Sequence, residues 1–235
     1  MPGAPVGLGA RGRWQKTNER KAIPAFLRAI DVKGAVVSVD AAGCYPEIAQ
    51  EVRDVKADYL IGLKANQPSL MQAVEQVFVD RTPASHHVQV EKDHGRIEHR
   101  TCDVQPAHFL DERQAPWPAI SSLVRIVAQR TDVLSGRSSE EIRFYISSLK
   151  ADAMRFNQLV RQHWRIENQL HWTLDVTFNE DASRVRKGHG QRNMATVRRT
   201  ALNICKLCNV PGYALKHKRL AASGSDEFRD MLLGF

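Results

Sequence analysis

Four residues able to titrate or to bind a metal recur at four-residue intervals late in the chain: His163, Glu167, His171 and Asp175. No helix breaker interrupts the sequence around them before Asp181–Ser183. Leu159, Ile166, Leu170 and Leu174 recur at roughly helical spacing with Trp164 and Trp172. This predicts a helix from about Asp152 to Phe178. On it the four groups line one slowly drifting stripe, which a purely structural helix would fill with Leu and Lys. Glu167 is central. A carboxylate in a cationic, aromatic setting can ligate a metal or act as a general base. The plainer alternative is an ion pair with Arg161 or Arg165. Zinc held by the whole stripe is disfavoured, because eight helical residues separate His163 from His171 by about 12 Å. Both cannot lie about 2 Å from one ion, so at most neighbouring pairs could share it.

A second carboxylate, Asp40, ends the apolar run Ala35–Val39. An acid at the carboxyl end of a buried strand stands where open α/β sheets keep their sites; the alternative is a cap on the turn into the next helix. Lys64, Asn66 and Gln67 follow a second strand and precede a helix. They either present donors to a phosphate or do ordinary loop and cap chemistry. Cys205 and Cys208 form a single C-x-x-C in an apolar helix, which reads as core packing. The sequence has no G-x-S-x-G, no Walker loop and no G-x-G-x-x-G.

The net charge is +8. Between Arg184 and Arg219 stand ten Lys/Arg and no Asp or Glu. Such a one-signed segment points to a polyanion, most often nucleic acid, against the reading of a solvated helix face. At 235 residues the chain can bury a real core, as one large domain or two small ones. No apolar run approaches the roughly 18 residues of a membrane helix, and residues 1–15 lack the apolar stretch of a signal peptide. The cysteines at 44, 102, 205 and 208 form no disulfide framework. A cytoplasmic protein with no membrane partner is expected.

The elements that must position these groups follow in order. Pro24 starts a short helix to about Ile30, with Ala25, Phe26 and Ile30 inward. Ala35–Val39 is a strand covered on both faces. Pro46 begins a helix to about Arg53, Asp58–Leu63 is a second strand, and a helix after Pro68 runs to about Val79. Strand–helix–strand–helix order predicts a parallel α/β unit. Two hairpin-like pairs follow, Val88–Glu91 with Ile97–Val104 and Ser122–Val133 with Glu141–Leu149. Residues 85–149 therefore read as an antiparallel insertion that extends the sheet or packs beside it. After the Glu-bearing helix, Gly190–Asn209 forms a basic amphipathic helix with Met194, Val197, Ala201, Ile204 and Leu207 inward, and a helical tail ends the chain. An acid ending a buried strand, a Glu on a late helix and a basic flank together describe carboxylates facing a polyanion. Such groups hold Mg²⁺ for in-line phosphoryl displacement on DNA or RNA.

VVSVDAAGCYPEIAQEV, DYLIGLKANQPSL, HGRIEHR and HWRIENQLHWTLDVTFNEDASRVR, followed by NMATVRRTALNICK, closely resemble a bacterial family of DDE-type transposases. This is the ISAs-type insertion-sequence group that includes the H-repeat-associated proteins, and the resemblance covers about residues 16–210. It implies an α/β, ribonuclease-H-like core with a carboxylate triad, in which Asp40 matches the second Asp and Glu167 the Glu. It also implies Mg²⁺ (or Mn²⁺), insertion-sequence ends and target DNA as partners, a homodimer or an assembly with an intact transposase, and a nucleoid-associated place in the cytoplasm. Residues 163–167, HWRIE, resemble the family's R-W-x-I-E element with His163 in place of the Arg. The relatives' Lys seven residues after the Glu is Leu174 here. Lys64, Asn66, His163, Arg165, Arg184, Arg186 and Lys187 become the candidates for DNA contact.

The resemblance also sets an expectation of truncation. The family's I-D-G-K-like first strand has no match in residues 1–39, whose only Asp is Asp31, and KTNERKAIP resembles a segment that follows the family's third strand. The first strands of the core and one catalytic Asp are expected to be missing, with impaired activity. The expected division is 1–17 flexible or residual strand, 18–84 first part of the catalytic domain, 85–149 β-rich insertion, 150–210 its completion, and 211–235 a helical tail. Two rivals remain: a non-catalytic DNA-binding remnant, and a stand-alone nuclease drawing its third carboxylate from Asp58, Asp175 or Glu180.

Overall fold

The computed structural model describes residues 19–93, 95–111 and 117–234, with the side chains of 19–21, 93, 167 and 168 outside the description. The expectation for residues 1–17 lies outside the described residues. The described residues divide into two compact units, one ending at His163 and one beginning at Trp164.

The first unit begins with α1 (Glu19–Leu27), which holds Pro24 within it rather than at its first turn. β1 (Val36–Val39) leads through a tight turn to α2 (Pro46–Asp54), β2 (Asp58–Leu63) and α3 (Pro68–Asp80). Both α2 and α3 open on Pro, whose fixed φ and missing N–H suit a first helical position. β1 and β2 are parallel, with Val36 opposite Asp58 and Val39 opposite Ile61. This is the crossover that the sequence order predicts.

β3 (Ser85–Asp93), β4 (Arg96–Pro106), β5 (Ser122–Asp132) and β6 (Ser138–Ser147) then pair antiparallel in sequence. β6 also pairs antiparallel with β2, giving one sheet in the order β1-β2-β6-β5-β4-β3. The β-rich segment thus extends the sheet. β1 lies at its edge among the described residues, and Val36 and Val37 are half-buried rather than covered on both faces.

Side-chain alternation sends successive strand residues to opposite faces. On one face Val39, Tyr59, Ile61, Leu63, Leu123, Phe144 and Ile146 form the main core with Ile48 and Val52 of α2 and Val74 and Phe78 of α3. On the other face lie the buried Leu60, Val104, Val124, Ile126 and Tyr145. That face meets α4 (Ala153–Ile166), whose Phe156 and Val160 are buried. The Ala153 N–H donates to Ser85 Oγ (3.0 Å), and Asn157 Nδ2 and His87 Nδ1 are 3.1 Å apart. Burying a side chain such as Phe156 contributes about 2–3 kcal/mol, so α4 is fixed chiefly by packing.

The second unit holds the rest of the helix that α4 begins. It continues as two π-helical turns, Glu167–His171 and Thr173–Thr177, where the sequence predicts unbroken α-helix. It ends at Phe178, because Asn179 takes a left-handed conformation (φ 52°) that Asn tolerates. α5 (Gly190–Leu207), α6 (Leu215–Gly224) and α7 (Asp226–Leu233) follow. A small core joins Leu174, Phe178 and Leu202, with Leu170, Ala201 and Leu215 against it. α5 turns a different face inward from the one its apolar residues suggest: Leu202 and Cys205 are buried, whereas Val197 is 57% and Leu207 85% exposed.

Candidate functional site

Asp40 stands at the carboxyl end of β1, exposed, and begins the 3₁₀ turn Ala41–Gly43. Its Oδ1 accepts from the N–H of Ala42 (3.1 Å) and of Gly43 (3.4 Å). Oδ2 has no hydrogen bond among the described residues. The acid caps the turn with one oxygen, and that leaves the other open.

The turn is held tightly. A methyl group at Gly43 would meet Val39 Cγ1 at 2.3 Å, and one at Gly62 would meet the Ala41 nitrogen at 3.3 Å. The loop after β2 fastens it from the side: Asn66 Nδ2 donates to Ala41 O (2.7 Å) and Gln67 Nε2 to Cys44 O (2.9 Å). Both amides are thus engaged in loop chemistry. Of the three loop residues considered for a phosphate, Lys64 is exposed.

His163 joins this region from α4. Its Nδ1 lies 3.0 Å from the hydroxyl of Ser38, two residues before Asp40 on β1. Ser38 was not singled out in the sequence, although a hydroxyl inside the run VVSV was the available signal. Arg161, a suggested ion-pair partner for Glu167, is paired with Glu91 of β3.

Glu167 opens the first π turn, and its side chain lies outside the described residues. It and Asp40 fall in different compact units. A π turn inserts one residue into an α-helix, commonly at functional sites. It also breaks the strict four-residue stripe of His163, Glu167, His171 and Asp175, since that stripe requires α geometry. Two proposed third carboxylates are occupied. Asp58 is paired with Arg53 and accepts from Ser148 Oγ (2.8 Å), and Glu180 is paired with Arg199 (3.2 Å). Among the described residues no three His, Cys, Asp or Glu side chains come together as a metal cage.

The cations of the second unit divide into two groups. Arg198 Nε donates to Phe178 O (3.2 Å) and Lys206 Nζ to Gln169 O (3.2 Å), while Arg199 pairs with Glu180. Lys218 is buried and donates to the carbonyls of Cys205 (3.1 Å) and Cys208 (2.6 Å), which satisfies the end of α5. Arg165, Arg184, Arg186, Lys187 and Arg192 are exposed. Among the described residues no hydrogen bond or ion pair holds the last four. Cys205 is buried, and burial pushes its thiol upward, as core packing requires. Among the described residues no helix is long and apolar enough to cross a membrane.

The transposase DDE domain family matches residues 10–204. "Putative transposase YncI" of Escherichia coli O157:H7 is 38% identical over 224 residues, covering 91% of this chain and 56% of that protein. "H repeat-associated putative transposase YhhI" of Escherichia coli K12 is 34% identical over 230 residues, 94% of this chain and 60% of that protein. "Putative protein YbfL" of the same strain matches at the same identity and coverage. The chain thus spans 56–60% of the length of these curated relatives.

Proposed function

Because the chain belongs to the transposase DDE domain family, we propose that it acts in DNA transposition, cleaving and joining phosphodiesters at insertion-sequence ends. The observation that carries this reading is Asp40, an acid with one open oxygen at the carboxyl end of β1 inside the matched region. Asp40 and Glu167 are the proposed catalytic carboxylates. Mg²⁺ or Mn²⁺ is the ion their hard oxygens favour. The sheet with helices on both faces, and the parallel β1–β2 pair, support a ribonuclease-H-like core. In it 18–84 and 150–210 are the two parts, 85–149 is the insertion and 211–235 is the tail. His163 acts as a positioning residue through Ser38, and Asn66 through Ala41. Lys64, Arg165, Arg184, Arg186 and Lys187 remain candidates for the phosphate backbone. The partners are element ends, target DNA and a further transposase copy, in a cytoplasmic, nucleoid-associated setting.

A supercoiled-plasmid nicking assay with Mg²⁺ tests this. The chain is expected to nick at a low level, with that activity falling to background in Asp40→Asn, in Glu167→Gln and on chelation. A second reading, DNA binding without catalysis, is favoured by the basic segment Arg184–Arg219, which holds no Asp or Glu. It predicts salt-dependent binding and no nicking. Nicking that survives both substitutions removes these carboxylates from the mechanism.

A further inference from the structure

We propose that the first half of α5 reads DNA sequence, lying in the major groove with Asn193, Thr196, Val197 and Thr200 toward the base edges. The inference rests on the DNA reading above and assigns specificity within it.

Helical spacing puts Asn193, Thr196, Val197, Thr200, Asn203 and Leu207 on one stripe of α5. All six are exposed, Val197 at 57%. An exposed helix stripe normally carries Lys and Glu. This one has amides, hydroxyls and methyl groups and no charge, although the surrounding segment is the most basic in the chain. An uncharged stripe bordered by cations matches a duplex groove. There the phosphates take the cations, and the base edges offer hydrogen-bond pairs and thymine methyls. Asn can bond both N6 and N7 of adenine, and Thr and Val methyls suit the thymine C5-methyl. A helix about 10–12 Å across fits a major groove about 12 Å wide.

The cations are placed to match. Arg192 borders the stripe, and Arg184, Arg186 and Lys187 precede the helix; all four are exposed and without partners among the described residues. The Thr196 hydroxyl donates to Arg192 O (3.1 Å), leaving its lone pairs and methyl for a ligand. The inward side carries the unit's packing instead, through Leu202 and Cys205. Substitutions on the outer stripe therefore leave the fold intact.

The test is selection from a library of random duplexes by the whole chain, followed by affinity measurements on the enriched and on a scrambled duplex. The chain is expected to enrich a defined sequence. Asn193→Ala with Thr196→Ala should lose about tenfold or more on the enriched duplex and little on the scrambled one. Circular dichroism should be unchanged. An unchanged enriched sequence in the double variant overturns the proposal, as does wild-type binding that enriches nothing. Val197→Asp that abolishes self-association while leaving sequence selection unchanged also overturns it, and assigns the stripe to a second copy. Absence of any salt-dependent DNA binding would instead sink the DNA reading on which the proposal stands.

Discussion

Asp40 holds its turn with one carboxylate oxygen and leaves the other open, and the residues around it show how much of the local chain is committed to that. Oδ1 is held by two backbone N–H groups, which fixes the acid's orientation. Gly43 makes this possible, since a side chain there would overlap Val39. We therefore expect Gly43→Ala to destabilise the first unit by about 1–3 kcal/mol, the usual cost of overpacking. Urea denaturation would measure it. Adding Val39→Ala should recover part of the loss, because removing Cγ1 vacates the contact, so the two changes couple rather than add. Additivity would show that Gly43 is needed for some other reason. Asp40 itself was legible in the sequence, from a β run that stops at an acid. Both readings of it, cap and ligand, could be written from the sequence, but which oxygen the turn engages could not, because that depends on the backbone N–H groups of Ala42 and Gly43.

The strands and hairpins were legible because alternation, Gly95 and Gly136 leave little choice of register. Helical elements were read less well, for two reasons. Leu170, Leu174 and Phe178 are spaced by four, as in an unbroken α-helix, so the π turns leave no mark in the sequence pattern. In α5 the larger apolar set lost to a smaller one. Leu202 joins the Phe178 core, while Arg198 and Lys218 tie that side down through backbone carbonyls. The hairpins also carry a cross-strand charge network of Glu98, Arg100, Arg130, Glu141 and Arg143. Burial pushes the Glu98 carboxyl up, but the hydrogen bond from Arg130 and the charges of Arg100, Arg130 and Arg161 outweigh it and leave it lowered. Glu141 is lowered in the same way, chiefly by Arg143 against its burial. A carboxylate depressed in the folded state contributes stability that is full above its ordinary value of about 4.5 and lost as pH falls through the folded value. Urea midpoints should therefore fall below about pH 4.5, and Glu98→Gln should flatten that fall. At neutral pH the variant should be less stable by about 1–3 kcal/mol, since it leaves Arg100 and Arg130 short of a partner. An equally steep acid fall in the variant would move the dependence to other carboxylates.

Across the whole chain charge is distributed very unevenly, and the division follows the two units. Residues 164–235 hold twelve Lys/Arg against seven Asp/Glu, whereas 16–163 hold twenty against nineteen. Counting cations alone overstates the second unit's capacity for DNA, because Arg198, Arg199, Lys206 and Lys218 are spent on its own carbonyls and on Glu180. Among the rest, Arg184, Arg186, Lys187 and Arg192 are the exposed cations that lead into and open α5. Each phosphate neutralised changes the slope of log affinity against log salt by about −0.9, so four contacts predict a slope near −3.6 by the same relation. Replacing any one of the four by Ala should make the slope shallower by about 1 while leaving thermal stability unchanged. Lys218→Ala should do the reverse: a lower Tm, because the last carbonyls of α5 lose their donor, with the salt slope retained. If Lys218→Ala flattened the slope as much as Lys187→Ala, the division between structural and DNA-facing cations would be wrong. The basic segment would then act as a diffuse cloud of charge rather than as four placed contacts.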